Sequence, residues 1–186
     1  MRQSFVISLA VWSIVVAGCT NDDSNPTAGT AQLPSGTTTV SSAGAPGFSF
    51  SQGKVMVRPF AADSWPDFEI FAETGSGGPQ VLGLGFLGTT PNQDPRDTFR
   101  LLRQSSSGDS AQAFFEELRL IPDTTYVSQT GENQVDAPTM RPYQIYAVKT
   151  YDGRFAKLLV LSNEASPSEV VATFSWVFQP NGTRQF

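Results

Sequence analysis

The chemistry open to this chain is bounded first by its inventory, which holds no histidine and a single cysteine. Without imidazole the ordinary neutral-pH general base and the commonest metal ligand are missing. A Ser-His-Asp triad, a Cys-His pair and an imidazole zinc site are therefore excluded. Carboxylates and small loops remain. Glu116 and Glu117 are the most conspicuous acidic pair, but adjacent helix positions point about 100° apart and do not face one another. They read as a solvated helix face. The stretch Asn92-Gln93-Asp94-Pro95-Arg96-Asp97 could hold a calcium ion weakly, yet it lacks the glycine and closing glutamate of an EF-hand loop and reads as a turn. Gly75-Ser76-Gly77-Gly78 is not followed by the lysine of a P-loop. None of these supports catalysis, so no enzymatic activity is expected; a carboxylate-based hydrolase is the one catalytic alternative left.

The lone cysteine has other chemistry in view. Arg2, an apolar run over residues 5–16 and the small residues of Val16-Ala17-Gly18-Cys19 are the parts of a secretory signal peptide. The cut site resembles the bacterial lipobox, in which a cysteine is acylated and becomes the new N-terminus. The alternative is a membrane span with Cys19 as a buried thiol. Spanning takes about 20 apolar residues, and this run ends at Gly18 before the polar Thr20-Asn21-Asp22-Asp23. Residues 1–18 thus read as a leader and Cys19 as the lipidation site. Each buried acyl CH₂ contributes about 0.8 kcal/mol, so one chain holds marginally and several hold firmly. Thr20, with no Asp at that position, is similar to lipoproteins of the outer membrane, and the expected location is the bacterial cell envelope, facing the periplasm or the surface.

With Cys19 acylated, no thiol remains for a disulfide or a metal site, and the fold must rest on its core. The balance of 12 Lys and Arg against 17 Asp and Glu is acidic, which argues against nucleic acid as a partner. From Thr20 onward to Gly47 the sequence is almost wholly Thr, Ser, Ala, Gly, Pro, Asn and Asp, with Leu33 and Val40 its sizeable apolar side chains. Such a segment buries too little to offset its ordering entropy. Residues 19–47 are expected to be an acylated, flexible tether reaching roughly 30 Å, and residues 48–186 one folded domain.

The elements that would position any site are mostly β. Residues 144–151 and 154–162 are rich in β-branched and aromatic side chains and flank Asp152-Gly153, the sequence of a two-residue hairpin turn. Further on, Ala172, Phe174, Trp176 and Phe178 alternate with Thr173, Ser175 and Gln179 before Pro180-Asn181-Gly182 stops the run. Period-two alternation marks a half-buried antiparallel strand, which completes a C-terminal three-stranded meander. Upstream, residues 48–50 and 54–57 read as short strands about Ser51-Gln52-Gly53, and Phe68, Ile70 and Ala72 line another. Residues 81–86 form an apolar run whose Gly83 and Gly85 leave one face bare, for packing, a bulge or a ligand. One helix is expected, capped by Asp109 or Ser110, carrying Phe114, Phe115 and Leu118 and ended by Pro122. Residues 96–104 read as a second helical turn. The fold class is mostly β, an antiparallel sheet domain with one or two short helices.

The run Ile145-Tyr146-Ala147-Val148-Lys149-Thr150-Tyr151-Asp152-Gly153-Arg154-Phe155-Ala156-Lys157, followed by Thr173-Phe174-Ser175-Trp176-Val177-Phe178-Gln179, resembles the closing strands of HmuY-like haem-binding lipoproteins. Phe48-Ser49-Phe50-Ser51-Gln52-Gly53-Lys54-Val55 and Ser64-Trp65-Pro66-Asp67-Phe68-Glu69-Ile70 are similar to that family's opening strands. The likeness spans both ends of the folded part and leaves residues 79–140 unaligned. It implies a surface-tethered protein that captures haem and delivers it to an outer-membrane receptor. Where family members place a pair of histidines on iron, this chain has none, and others use methionine. Thioether and phenol are both known axial haem ligands. The resemblance therefore implies Met140 as the metal ligand, in the irregular Val135-Asp136-Ala137-Pro138-Thr139-Met140-Arg141-Pro142-Tyr143 segment, with plain packing as its alternative role. Arg141 would pair with a propionate, and Tyr143 or Tyr126 would stack or ligate. Met56, in an expected strand, reads as core. The other functional reading is a lipoprotein module that binds another ligand or a protein partner without haem.

Overall fold

Alternation along the strands decides the architecture. The computed structural model describes residues 32–60, 65–74, 81–88, 98–128, 140–166 and 169–186. Cys19 and its leader, the 75–78 and 92–97 stretches and residues 135–139 of the irregular segment lie outside these. Among the described residues no helix is long and apolar enough to cross a membrane. Nine strands and one helix follow in chain order among the described residues: β1 Ser35–Ser41, β2 Gly47–Ser49, β3 Lys54–Met56, β4 Phe68–Thr74, β5 Val81–Gly88, β6 Phe99–Gln104, α1 Gly108–Glu117, β7 Gln144–Lys149, β8 Phe155–Ala165 and β9 Val170–Gln179. They form a five-stranded sheet, β1-β9-β8-β7-β6, and a four-stranded sheet, β3-β2-β4-β5. All pairings are antiparallel. The fold is mostly β with one short helix, and the β7-β8-β9 meander lies within the larger sheet.

The two sheets bury their facing side chains in one core. Ala172, Phe174, Trp176 and Phe178 of β9 point inward while Thr173 and Ser175 stay partly exposed. Against them pack Phe48 and Phe68, whose rings lie 5.2 and 5.6 Å from Phe174 in edge-on contact. Phe50 meets Trp176 at 6.1 Å, and Phe99 links Phe68 at 5.7 Å to Tyr146 at 6.3 Å. Edge-to-face pairs of this kind add about 0.5–1.5 kcal/mol beyond the area they bury. The turn between β2 and β3 lets Gly53 adopt φ 59°, and a Cβ there would meet Trp176 Cη2 at 3.2 Å. A side chain at this position would be both strained and crowded.

Asp67 ties the two sheets together. Its carboxylate is buried and accepts the Phe50 N–H at 2.7 Å, from the β2–β3 turn, and the Tyr151 N–H at 2.7 Å, from the β7–β8 turn. A charged acceptor strengthens both bonds. The opposite face of the larger sheet carries α1, where Ala111 and Phe115 pack on Ile145 and Leu159.

Four local expectations change. Residues 32–47 are not all tether: β1 pairs with β9 from Ser35↔Val177 to Ser41↔Val171, and Val40 is buried. The folded unit begins at Gln32 rather than at residue 48. The threonines of β1 are good strand formers, and an apolar neighbour strand recruits them where local composition alone would not. Residues 99–104 are strand β6, not helix, because pairing with β7 buries Phe99 and outweighs the helix propensity of Leu, Arg and Gln. The helix cap is Ser107, with extended φ −148° and its Oγ accepting the Ser110 N–H at 3.3 Å; Asp109 instead sits in the first turn, where its charge complements the dipole. The helix stops at Glu117, before Pro122. Finally, the β7–β8 turn is wider than two residues. Thr150 N–H donates to Arg154 O at 2.8 Å and Gly153 N–H to Thr150 O at 3.0 Å. Gly153 alone in that turn takes positive φ, at 81°, the pattern of a three-residue loop with a glycine bulge.

Candidate functional site

The residues expected to hold a ligand separate into three places. Met140 is fully buried in the main core with Phe99, Tyr146 and Phe174, and its carbonyl accepts the Asn163 Nδ2–H at 2.7 Å. An axial ligand needs an open coordination direction, and a side chain with no exposed surface offers none. In this fold Met140 packs in the core and presents no exposed surface. Met56 is likewise buried.

Tyr126 belongs to the opposite end of the larger sheet. Its neighbour Val127 bridges to Phe99, and its ring lies 6.4 Å from Phe155 at the start of β8. The Tyr126 hydroxyl is buried without a hydrogen-bond partner. That burial pushes its pKa up to about 12, opposed in part by the Arg184 guanidinium. Tyr143, by contrast, bonds through its N–H to Val160 O at 2.8 Å. Five strand positions separate Phe155 from Val160, about 17 Å, so Tyr126 and Tyr143 neighbour different stretches of β8.

Arg141 and Tyr143 stay together on a strap that leads into β7. Arg141 is exposed, and its backbone N–H donates to Gln144 Oε1 at 2.6 Å. The same oxygen accepts the Tyr146 hydroxyl at 2.7 Å, so a buried glutamine anchors the strap to the core. Gln104 Nε2 donates to Pro142 O at 3.1 Å from β6. Tyr143 adopts φ 70°, a left-handed backbone that costs an aromatic residue about 1–3 kcal/mol. Its backbone is held on both sides, by Val160 O and by the Ser105 N–H at 3.0 Å. Ser105 Oγ is buried without a partner. The Tyr143 ring borders Gly108 at the start of α1, where a Cβ would meet Cε1 at 3.3 Å, and the residue keeps 36% of its surface exposed.

No protein-family model matches the chain, and no curated protein matches it. Among the described residues no group of three or more acidic or cysteine side chains converges to hold a metal ion.

A second unusual group, Lys157, carries no distinctive sequence signal. It lies mid-strand in β8, is buried, and donates from Nζ to Phe115 O at 2.6 Å and Leu118 O at 2.9 Å. These are carbonyls at the end of α1, whose last turn has no basic residue of its own. The ammonium also lies 4.9 Å from the Phe115 ring and 5.5 Å from Phe186. Burial lowers its pKa to about 8, with Arg119 adding to the shift and Glu116 opposing it. Lys157 clamps the helix onto the sheet; the signal available beforehand was only a lysine on the alternation Phe155-Ala156-Lys157-Leu158.

Proposed function

We propose that the protein is a binding module, not an enzyme, tethered by an acylated Cys19 outside the cytoplasm, and that its working surface is the strap bearing Arg141 and Tyr143. The observation that carries this reading is the strained, exposed Tyr143, fixed by backbone bonds to Ser105, just past β6, and to Val160 of β8. An exposed tyrosine two residues from an exposed arginine suits a planar ligand with a carboxylate: the ring stacks, and arginine pairs with the anion in bidentate fashion. Together with the family resemblance, this supports haem or a related porphyrin as cargo, passed on to an outer-membrane receptor. In this form of the proposal Tyr143 stacks or supplies a phenolic oxygen, Arg141 meets a propionate, and Met140 and Tyr126 take no part.

Hemin titration of the purified protein tests the proposal. A saturable Soret shift is expected, weakened by Arg141→Ala, altered in position by Tyr143→Phe, and unchanged by Met140→Leu. Absence of any shift removes haem, and stoichiometric capture of an envelope protein without hemin would then favour the partner-binding form of the module.

A further inference from the structure

The larger sheet ends in two unlike edges. On one side β6 carries Arg100 and Arg103, a register break between Leu101 and Arg103, and a bridge from Phe99 to Val127. Charges, bulges and covering segments are the devices by which sheets avoid pairing with other chains. On the other side β1 reads Ser-Gly-Thr-Thr-Thr-Val-Ser, without a charge, a proline or a register break.

The pairing pattern tells which backbone groups of β1 are free. Phe178 N–H donates to Pro34 O at 2.8 Å and Ser42 N–H to Val170 O at 2.9 Å. Hydrogen-bonded pairs alternate along an antiparallel ladder, so Gly36, Thr38 and Val40 turn their backbone groups toward β9. Ser35, Thr37, Thr39 and Ser41 turn theirs to the open edge. Ser41 is already closed, exchanging bonds with Ala45 at 3.2 and 3.1 Å. Pro34 has no N–H to offer. Ser35, Thr37 and Thr39 are left, all exposed, and they are symmetric about Thr37.

We propose that β1 pairs with β1 of a second copy of this chain, antiparallel, about a two-fold axis through Thr37. In that register Thr37 faces its own counterpart and Ser35 faces Thr39. Every free N–H and C=O of the edge then finds a partner, and the two five-stranded sheets become continuous. The contact is isologous and closes at a dimer, with no open edge of this kind left to propagate. The seam carries no like charges. Its side chains repeat the hydroxyl pairing that already joins β1 to β9, where Thr39 Oγ1 lies 2.8 Å from Thr173 Oγ1 and Thr37 Oγ1 3.1 Å from Ser175 Oγ. This assembly does not depend on the ligand proposed above.

Sedimentation equilibrium of the full chain in density-matched detergent tests it. The wild type is expected to show a concentration-dependent mass of two chains. Thr37→Pro removes an edge N–H that β9 does not use, next to a glycine that tolerates the ring, and Thr37→Lys sets two ammonium groups against each other across the axis. Both variants are expected to sediment as single chains with unchanged circular dichroism, while Glu117→Lys, exposed at the end of α1, remains a dimer. As a second readout, Thr37→Cys in a Cys19→Ser background places paired Cα atoms about 5.5 Å apart, within disulfide reach. Mild oxidation is expected to yield a covalent dimer there, and none from Val57→Cys. A monomeric wild type, a dimer that survives both Thr37 substitutions, or covalent coupling from Val57→Cys but not from Thr37→Cys would overturn the proposal.

Discussion

Replacing Asp67 with alanine is expected to cost more stability than any other single change outside the aromatic core. The carboxylate is buried and accepts backbone N–H groups from two turns on different sheets, each at 2.7 Å. Hydrogen bonds to a charged acceptor contribute about 1.5–3 kcal/mol each, so losing both removes about 3–6 kcal/mol. Against a total stability of about 5–15 kcal/mol, that is a large share. At about 2–4 °C per kcal/mol for a domain of this size, the unfolding midpoint drops by roughly 6–24 °C. Asp67→Asn is expected to fall between: its carbonyl satisfies one N–H, while its amide meets the other donor head-on. Urea unfolding followed by circular dichroism measures both variants, with unchanged m-values confirming that the folded and unfolded states stay comparable. An alanine variant within about 1 kcal/mol of wild type, below the range for even one such bond, would refute the reasoning. So would an asparagine variant as stable as the parent.

The remaining expectations concern the helix, its clamp and the core methionine. Because burial gives Lys157 a folded pKa of about 8, below its ordinary 10.5, the unfolded chain binds more protons between these pH values, and stability rises with pH across that window. Tyr126 works the other way: its folded pKa is about 12 against 10.0, so stability falls once pH passes 10. Thermal melts are expected to show a midpoint that climbs from pH 8 and turns over near pH 10; Lys157→Met is expected to lose the climb and keep the fall. Ser107→Ala is expected to cost about 0.5–2 kcal/mol through the lost N-cap, measurable by chemical denaturation. Met140→Ala is expected to cost about 2–5 kcal/mol as a core cavity, and Met140→Leu less than about 1.5 kcal/mol, with hemin titration unchanged in the latter.

Where side-chain pattern alone decides a strand, the sequence was a sufficient guide. The alternation of Ala172, Phe174, Trp176 and Phe178 fixes β9 and its buried face, and the short strands around Gly53 follow from one turn residue. Elements whose identity depends on a distant partner were not legible. β1 is a run of small polar residues that becomes strand because β9 offers a ladder and Trp176 donates from Nε1 to Thr38 Oγ1 at 3.0 Å. β6 carries helix-favouring residues and is strand because β7 pairs with it. The site shows the same division. Arg141 and Tyr143 stand together because they are neighbours in sequence, whereas the burial of Met140 and the distance of Tyr126 depend on how the sheets close. The left-handed backbone of Tyr143 has no sequence signal, since glycine or asparagine is the residue ordinarily found there.

The strap that leads into β7, at Arg141 and Tyr143, is where we propose that ligand is held. Hydrogen exchange of the full chain, with and without hemin, tests it most directly. Slowed exchange confined to residues 103–108 and 140–144 is expected, and it is expected to be lost in Arg141→Ala combined with Tyr143→Ala. Unchanged exchange in the presence of hemin, or protection centred on residues 123–128 beside Tyr126, would contradict it.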